Sequence, residues 1–215
     1  MTQEMVRYYA HRAGEYERVY TTPPWQADLA RLRVALAAAF AERRVLDVAC
    51  GTGYWTLPLA EVARHVHGVD INAETLAIAG ARAAAARHVT FARADAYAPA
   101  VRPQAFDGGL AALWLSHVDR ARLGDFVAGF HACLGPGAAV VMFDERQHAG
   151  RTVPTSRVDA DGNRYEPRRL AGGERYEIVK NFYAEDELAA LVAGERFEYR
   201  ALENFWLVEY RTRGA

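Results

Sequence analysis

Lysine is nearly absent from this 215-residue chain: Lys180 is the one lysine among 26 basic residues. With 27 acids beside them the formal net charge is −1, so no global positive field exists to hold DNA or tRNA. Cysteine is equally scarce, and Cys50 and Cys133 cannot build a disulfide framework. No apolar run nears the roughly 18 residues that would cross a bilayer. The start, Met1 to Met5, is polar and acidic, unlike a signal peptide. These absences point to a cytoplasmic protein with no membrane and no nucleic-acid partner.

What is present suits a soluble globular chain, 51% hydrophobic and 25% charged. One domain is expected over residues 1–215, since no internal repeat or linker stands out. Gln3 to Tyr20 reads as a helix in which Tyr8, Arg12, Tyr16 and Tyr20 recur every four residues. Pro23-Pro24 breaks it and opens a second helix with Leu29, Leu32, Leu36 and Phe40 on one face. From Val45 to Phe143 short apolar runs alternate with helical segments, which predicts a parallel sheet covered on both faces. Residues 146–175 then break the rhythm as a polar, Arg-rich stretch without sustained period, expected to lack regular structure. Tyr176 to Tyr183 reads as a strand, Ala184 to Val192 as a helix, and Phe197 to Leu202 and Phe205 to Tyr210 as a terminal hairpin.

The sharpest feature is Val45-Leu46-Asp47-Val48-Ala49-Cys50-Gly51-Thr52-Gly53 at the first strand-to-helix junction. Glycines there let backbone approach a ligand, and the following helix N-terminus adds partial positive charge. Asp70 closes the second strand, 23 residues after Asp47, where an acid can accept both hydroxyls of a ribose. Asp95 ends the third strand, within reach of an adenine amino group. Three acids at adjacent strand ends make a nucleoside cradle. A nicotinamide-dinucleotide site would place a third glycine where Thr56 stands and has no use for Asp47.

Asp47 to Gly53 resembles the first motif of class I S-adenosylmethionine-dependent methyltransferases. Gly68-Val69-Asp70-Ile71 is similar to their acidic motif, Asp95-Ala96 to their adenine position, and Phe106-Asp107 through His117-Val118 to their fourth-strand segment. The resemblance covers about residues 43 to 145, departing at Ala49, where many members have glycine. It implies an α/β fold with a Rossmann-like, doubly wound seven-stranded sheet of order 3-2-1-4-5-7-6, strand seven antiparallel. An N-terminal helical cover (1–42) would precede the cofactor core (43–145), a lid or acceptor insert (146–175), and the terminal strands and helix (176–215). It implies S-adenosyl-L-methionine as cofactor. Ala49, Gly51 and Gly53 would cradle its methionyl part, and Asp47 would steady the loop or meet the amine through water. Asp70 would hold the ribose, Ile71 would pack on adenine, Asp95 and Ala96 would meet its edge, and the Ala112 carbonyl would face the amine. Tyr9 and Arg12 would close over the cofactor from the N-terminal cover.

Methyl transfer needs alignment and exclusion of water, and a base only where the acceptor arrives protonated. His117 after the fourth strand is the candidate base, beside the plainer role of bonding the loop backbone. Trp114 would wall the acceptor pocket or belong to the core, and Cys50 is a small filler. No Asp/Asn-Pro-Pro-Tyr tetrapeptide follows the fourth strand, which speaks against exocyclic amines of DNA bases. Asp144-Glu145 reads as capping or solvated, His65-x-His67 as structural, and no metal site is expected. Residues 145–175 hold seven arginines against five acids. They form either a solvated loop or a lid whose arginines clamp an anionic acceptor. The reading is methyl transfer to an O or N atom of a small molecule, by a monomer or homodimer. A non-catalytic S-adenosylmethionine-binding module and a methylator of protein or RNA are the alternatives.

Overall fold

The computed structural model describes residues 2–148 and 150–214. Helix α1 (Gln3–Arg12) starts where the Thr2 hydroxyl accepts the Met5 N–H, with Glu4 in its first turn. The long helix expected to Tyr20 stops at Arg12 and tightens into a 3-10 segment, Ala13–Thr21. Gly14 disfavours α-helix just there, and the tighter winding lets Tyr20 stack on Tyr54 at 3.6 Å. After a Pro23–Trp25 turn, α2 (Gln26–Phe40) buries the Leu29, Leu32, Leu36 and Phe40 face.

The alternation that follows gives β1 (Arg44–Val48), α3 (Thr56–Ala60), β2 (His65–Asp70), α4 (Ala73–Arg82), β3 (Val89–Arg93) and β4 (Phe106–Ala112). Helix α5 (Leu123–Ala132) leads into β5 (Leu134–Glu145). Strands β6 (Arg157–Val158), β7 (Arg164–Arg169) and β8 (Arg175–Val179) come next, then α6 (Glu185–Val192), β9 (Glu195–Ala201) and β10 (Phe205–Arg211). The main sheet runs β3-β2-β1-β4-β5-β10-β9, and β10 is antiparallel to both neighbours. This is the expected Rossmann-like order. Val45, Leu110 and Val141 face α2, whereas Leu46, Val140 and Met142 face Phe126 and Phe130 of α5. The one-residue alternation along each strand thus feeds two separate cores. No described helix is long and apolar enough to cross a membrane.

Residues 146–175, expected to be irregular, carry β6 and β7, which pair with β8 in a separate antiparallel sheet. The first turn is set by Asp159, whose carboxylate accepts the N–H groups of Asp161 and Asn163, with Gly162 at φ +80°. The pattern hides in the sequence because these strands alternate Arg, Tyr and Glu rather than apolar and polar residues. Their inward charges are paired: the Arg151 guanidinium forks onto buried Glu166, which also accepts from Arg168 at 2.7 Å. Strand β8 packs on α1 through Met5, Tyr8, Ile178 and Val179, and the Glu177 N–H donates to Glu4. The small sheet and the N-terminal helix therefore form one cover.

Glycine is required inside β4. A Cβ on Gly109 would lie 2.7 Å from the Phe130 ring and 2.8 Å from Leu134 Cδ1. Gly109→Ala is expected to cost about 1–3 kcal/mol by overpacking. Denaturant unfolding measures this, and an unchanged midpoint would show that the face under α5 is loosely filled.

Candidate active site

The loop after β1 turns sharply upward. Ala49, Gly51 and Gly53 have φ of +54°, +56° and +75°. The left-handed conformation costs an L residue such as Ala49 about 1–2 kcal/mol, which is why glycine suits that position. The Cys50 N–H donates to the Val69 carbonyl and the Gly51 N–H to Asp70 Oδ2 at 2.9 Å. The other oxygen of Asp70 accepts from the Asn72 N–H at 2.8 Å and the Thr75 hydroxyl at 3.3 Å. Loss of hydration pushes the Asp70 pKa up, while these N–H donors pull against the rise.

A cleft opens above this loop at the carboxyl edge of the sheet. Of the residues expected at the cofactor, Tyr9, Ala49, Gly51, Asp70, Ile71, Asp95 and Ala96 line it. Four others do not. Asp47 lies buried under the loop and accepts the Thr56 hydroxyl at 2.6 Å. Gly53 faces α4, where a Cβ would sit 3.2 Å from Ala79 Cβ. Ala112 still pairs with Phe143, and it is Leu113, at φ +54°, that turns into the cleft. Arg12 is drawn aside by its 2.9 Å bond to the Tyr8 hydroxyl and by stacking over Tyr8 and Tyr16. Tyr16, Asn72 and Thr75 line the cleft although only Tyr16 stood out in sequence, through its four-residue rhythm. Trp114 lines this cleft and packs into the core beside Phe126.

A second, smaller pocket adjoins the first and shares Tyr9, Tyr16, Leu113 and His117 with it. Its further walls include Arg12, Glu145, Arg168 and Lys180. Asp144, expected to be capping or solvated, is fully buried and not solvated; its carboxylate takes a backbone N–H of the Leu115–His117 turn, that of Ser116, together with Lys180 Nζ. Lys180 also donates to Ser116 Oγ at 3.0 Å and reaches Glu145 at 2.9 Å. Burial opposes the Lys180 charge, but the two carboxylates outweigh it and hold its pKa up. Burial likewise opposes the Glu145 charge, yet Lys180, Arg151 and Arg168 hold it down at about 2. Arg12 has no acidic partner among the described residues. Sequence reading missed Lys180 because a lone lysine 36 residues beyond Asp144 carries no motif.

His117 ends a short 3-10 turn, Leu115–His117, and its Nδ1 lies 2.7 Å from the Val179 carbonyl. A carbonyl only accepts, so Nδ1 carries the proton and the Nε2 lone pair receives the Tyr9 hydroxyl at 2.7 Å. Burial, followed by the Lys180 charge, lowers its pKa to about 4, so the ring is neutral.

Residues 45–137 match a family model described as a methyltransferase domain. A solved structure described as "DhpI-SAH complex structure" is 27% identical, with TM-score 0.76, covering 98% of this chain and 96% of the other. One described as "DhpI-SAM-HEP complex" is 26% identical, with TM-score 0.77 and coverages of 96% and 95%. The PH0226 protein from Pyrococcus horikoshii OT3 shares the fold at 19% identity, TM-score 0.70, over 93% of this chain and 99% of that one. No curated protein sequence matches. With this sheet order and glycine loop, the chain is a class I S-adenosylmethionine-dependent methyltransferase, and S-adenosylmethionine is its cofactor.

Asp47 makes the site costly. Burial raises its pKa to about 7 from an ordinary 3.8, so between about pH 4 and 7 the unfolded chain loses a proton that the folded one keeps. Stability from this group therefore falls as pH rises through that window. Asp47→Asn retains an acceptor for Thr56 and is expected to be more stable than the native protein by about 2 kcal/mol at pH 8. Near pH 4 the difference should vanish. Thermal melts at both pH values check this, and a pH-independent difference would contradict it.

Proposed function

We propose that this enzyme methylates an oxygen or nitrogen atom of a small acceptor that carries an anionic group. The observation behind the reading is the second cavity. It is contiguous with the cleft, and its walls carry three cations (Arg12, Arg168 and Lys180) against Glu145, with Asp144 and Glu166 pairing Lys180 and Arg168 from outside it. The unmatched cation is Arg12. A guanidinium in a partly dry cavity pairs best with a carboxylate or phosphate-like anion. The enclosure by α1 and the small sheet suits a small acceptor better than a protein or RNA surface. The structure described as "DhpI-SAM-HEP complex" supports the reading, as its description names a further group beside SAM.

The cleft fits S-adenosylmethionine: a carboxylate faces it from the end of β2, and glycine at position 51 leaves room under the Tyr16 ring, where a Cβ would already touch at 3.7 Å. When bound, that group supplies a methyl already activated on positive sulfur. In this reading Asp70 holds the ribose, Ile71 packs on the adenine face, and Asp95 takes the adenine amino group with the Ala96 backbone beside it. Ala49, Gly51 and Gly53 shape the loop around the methionyl part. Asp47 steadies that loop from beneath by accepting the Thr56 hydroxyl, and at the end of β4 it is Leu113, rather than Ala112, that borders the methionyl part. Tyr9 and Tyr16 roof the junction of the two cavities and exclude water. Arg12 binds the acceptor's anion rather than the cofactor. His117 takes the acceptor's proton, by way of the Tyr9 hydroxyl that occupies its lone pair.

Incubation with methyl-labelled S-adenosylmethionine and a panel of hydroxy- and amino-carboxylates, phosphate monoesters and a small-molecule cell extract tests this. Label should appear in an anionic small product. Arg12→Gln should raise the acceptor KM about 10- to 100-fold with cofactor affinity within twofold. His117→Ala should lower kcat about 100-fold. Tight S-adenosylhomocysteine binding with no product would favour a non-catalytic module, and label confined to protein or RNA would favour a macromolecular acceptor.

A further inference from the structure

The pocket beside the cleft is divided in two by its chemistry. Arg12, Glu145, Arg168 and Lys180 bring charge to it from α1, the end of β5, β7 and the residue after β8. Tyr16, Val19, Trp25 and Leu113 supply an apolar wall. All four pack on the core under α2, yet each stays only half-buried. Apolar surface that rests on a core and also lines a pocket is left for a ligand to cover.

Trp25 is held as a fixed part of that wall. It closes the Pro23–Trp25 turn, where its N–H donates to the Thr22 carbonyl at 3.0 Å. Its ring meets fully buried Phe205 edge-on, with centroids 4.8 Å apart. The Asn204 side-chain amide donates to the Pro24 carbonyl, and the Gln26 amide to the Tyr20 and Thr22 carbonyls. Two prolines stiffen the same turn. A planar, unsaturated body covers such a wall with little rotamer freedom to lose, and ring–ring contact adds attraction beyond burial. Arg12, the cation with no acidic partner among the described residues, lies over the Tyr16 ring, 5.5 Å from its centroid. The free cation and the apolar wall are therefore neighbours, and one compact molecule must satisfy both.

We infer that the acceptor is an aromatic acid, a flat ring bearing both the anionic group and the atom to be methylated, and that Trp25 is the residue that selects the ring. This rests on the pocket being the acceptor site, as in the reading above. The ring lies against Trp25, its anion on Arg12, and its hydroxyl or amino group near Tyr9 and His117, which the pocket shares with the cleft. There the lone pair of that atom forms the bond to the methyl carbon as the carbon–sulfur bond breaks. Sulfur keeps the bonding pair, and the proton leaves through Tyr9 to His117. A saturated or open-chain acid gives Trp25 no ring to meet.

Steady-state kinetics with methyl-labelled S-adenosylmethionine test the inference. They compare hydroxy- and aminobenzoates with hydroxy- and aminocyclohexanecarboxylates, which keep the polar groups and lose the flat ring. An aromatic acid should be the better acceptor by about tenfold in kcat/KM. Trp25→Leu should raise the KM of that acid about tenfold, keep kcat within about threefold, and shrink the preference over its saturated counterpart to about twofold. Affinity for S-adenosylhomocysteine should hold, because Trp25 does not line the cofactor cleft. In parallel, the Trp25 indole resonances of the native protein, with S-adenosylhomocysteine bound, should move upfield under the ring current of the aromatic acid and not with the saturated one. This second readout decides the matter if Trp25→Leu does not fold. Equal kcat/KM for aromatic and saturated acids, a preference that Trp25→Leu leaves intact, or Trp25 resonances that ignore the aromatic acid would overturn the inference. Label confined to non-aromatic anions would overturn it too, while the anionic-acceptor reading stands. No label in any small anion, cell extract included, would overturn that reading itself.

Discussion

The Asp70 carboxylate takes the Gly51 N–H on one oxygen and the Asn72 N–H with the Thr75 hydroxyl on the other. One side chain thereby joins the end of β2, the glycine loop after β1 and the first turn of α4. Remove it, and the Gly51 and Asn72 N–H groups lose their carboxylate acceptor. The left-handed turns at Ala49, Gly51 and Gly53 persist because this bond and the Cys50–Val69 backbone bond hold them from one side. From the other side the N-terminal segment clamps down: the Thr52 hydroxyl donates to Glu17, which also pairs with Arg82 of α4.

The cover depends on the same economy of charge. Buried Asp144, Glu166 and Lys180, with half-buried Glu145 and Arg151 beside them, sit where hydrophobic residues would be less costly. Their pairing is nearly complete, and it fixes β7 and β8 over the end of β5. His117 is gripped between the Val179 carbonyl of that cover and Tyr9 of α1. A shift of α1 or β8 would thus change the imidazole directly, coupling closure of the cover to the state of the proposed base.

The sheet was legible because buried parallel strands are written as short apolar runs closed by glycine or acid, as in Val45 to Gly53 and Val66 to Asp70. The seven-strand order came with the resemblance, and both terminal strands fell where expected. The small sheet was not legible. Its strands, such as Arg164–Arg169, bury charges paired in three dimensions, so neither alternation nor apolar content marks them. The same limit explains the site. Ala49, Gly51, Asp70 and Asp95 belong to one contiguous stretch with fixed geometry and could be read directly. Arg12 was visible, but its place in the adjoining pocket was not, because its stacking on Tyr8 and Tyr16 depends on where the helix ends. Lys180 was invisible, since its partners come from the far end of β5.

Central to this account is that one carboxylate both braces the glycine loop and anchors the ribose. Calorimetric titration of the Asp70→Ala variant with S-adenosylhomocysteine, against the native protein, tests it most directly. Loss of two charge-assisted hydrogen bonds predicts a weakening of about 2–4 kcal/mol, roughly 30- to 1000-fold in Kd. A native Kd no tighter than millimolar, or a variant that binds like the native protein, would contradict it.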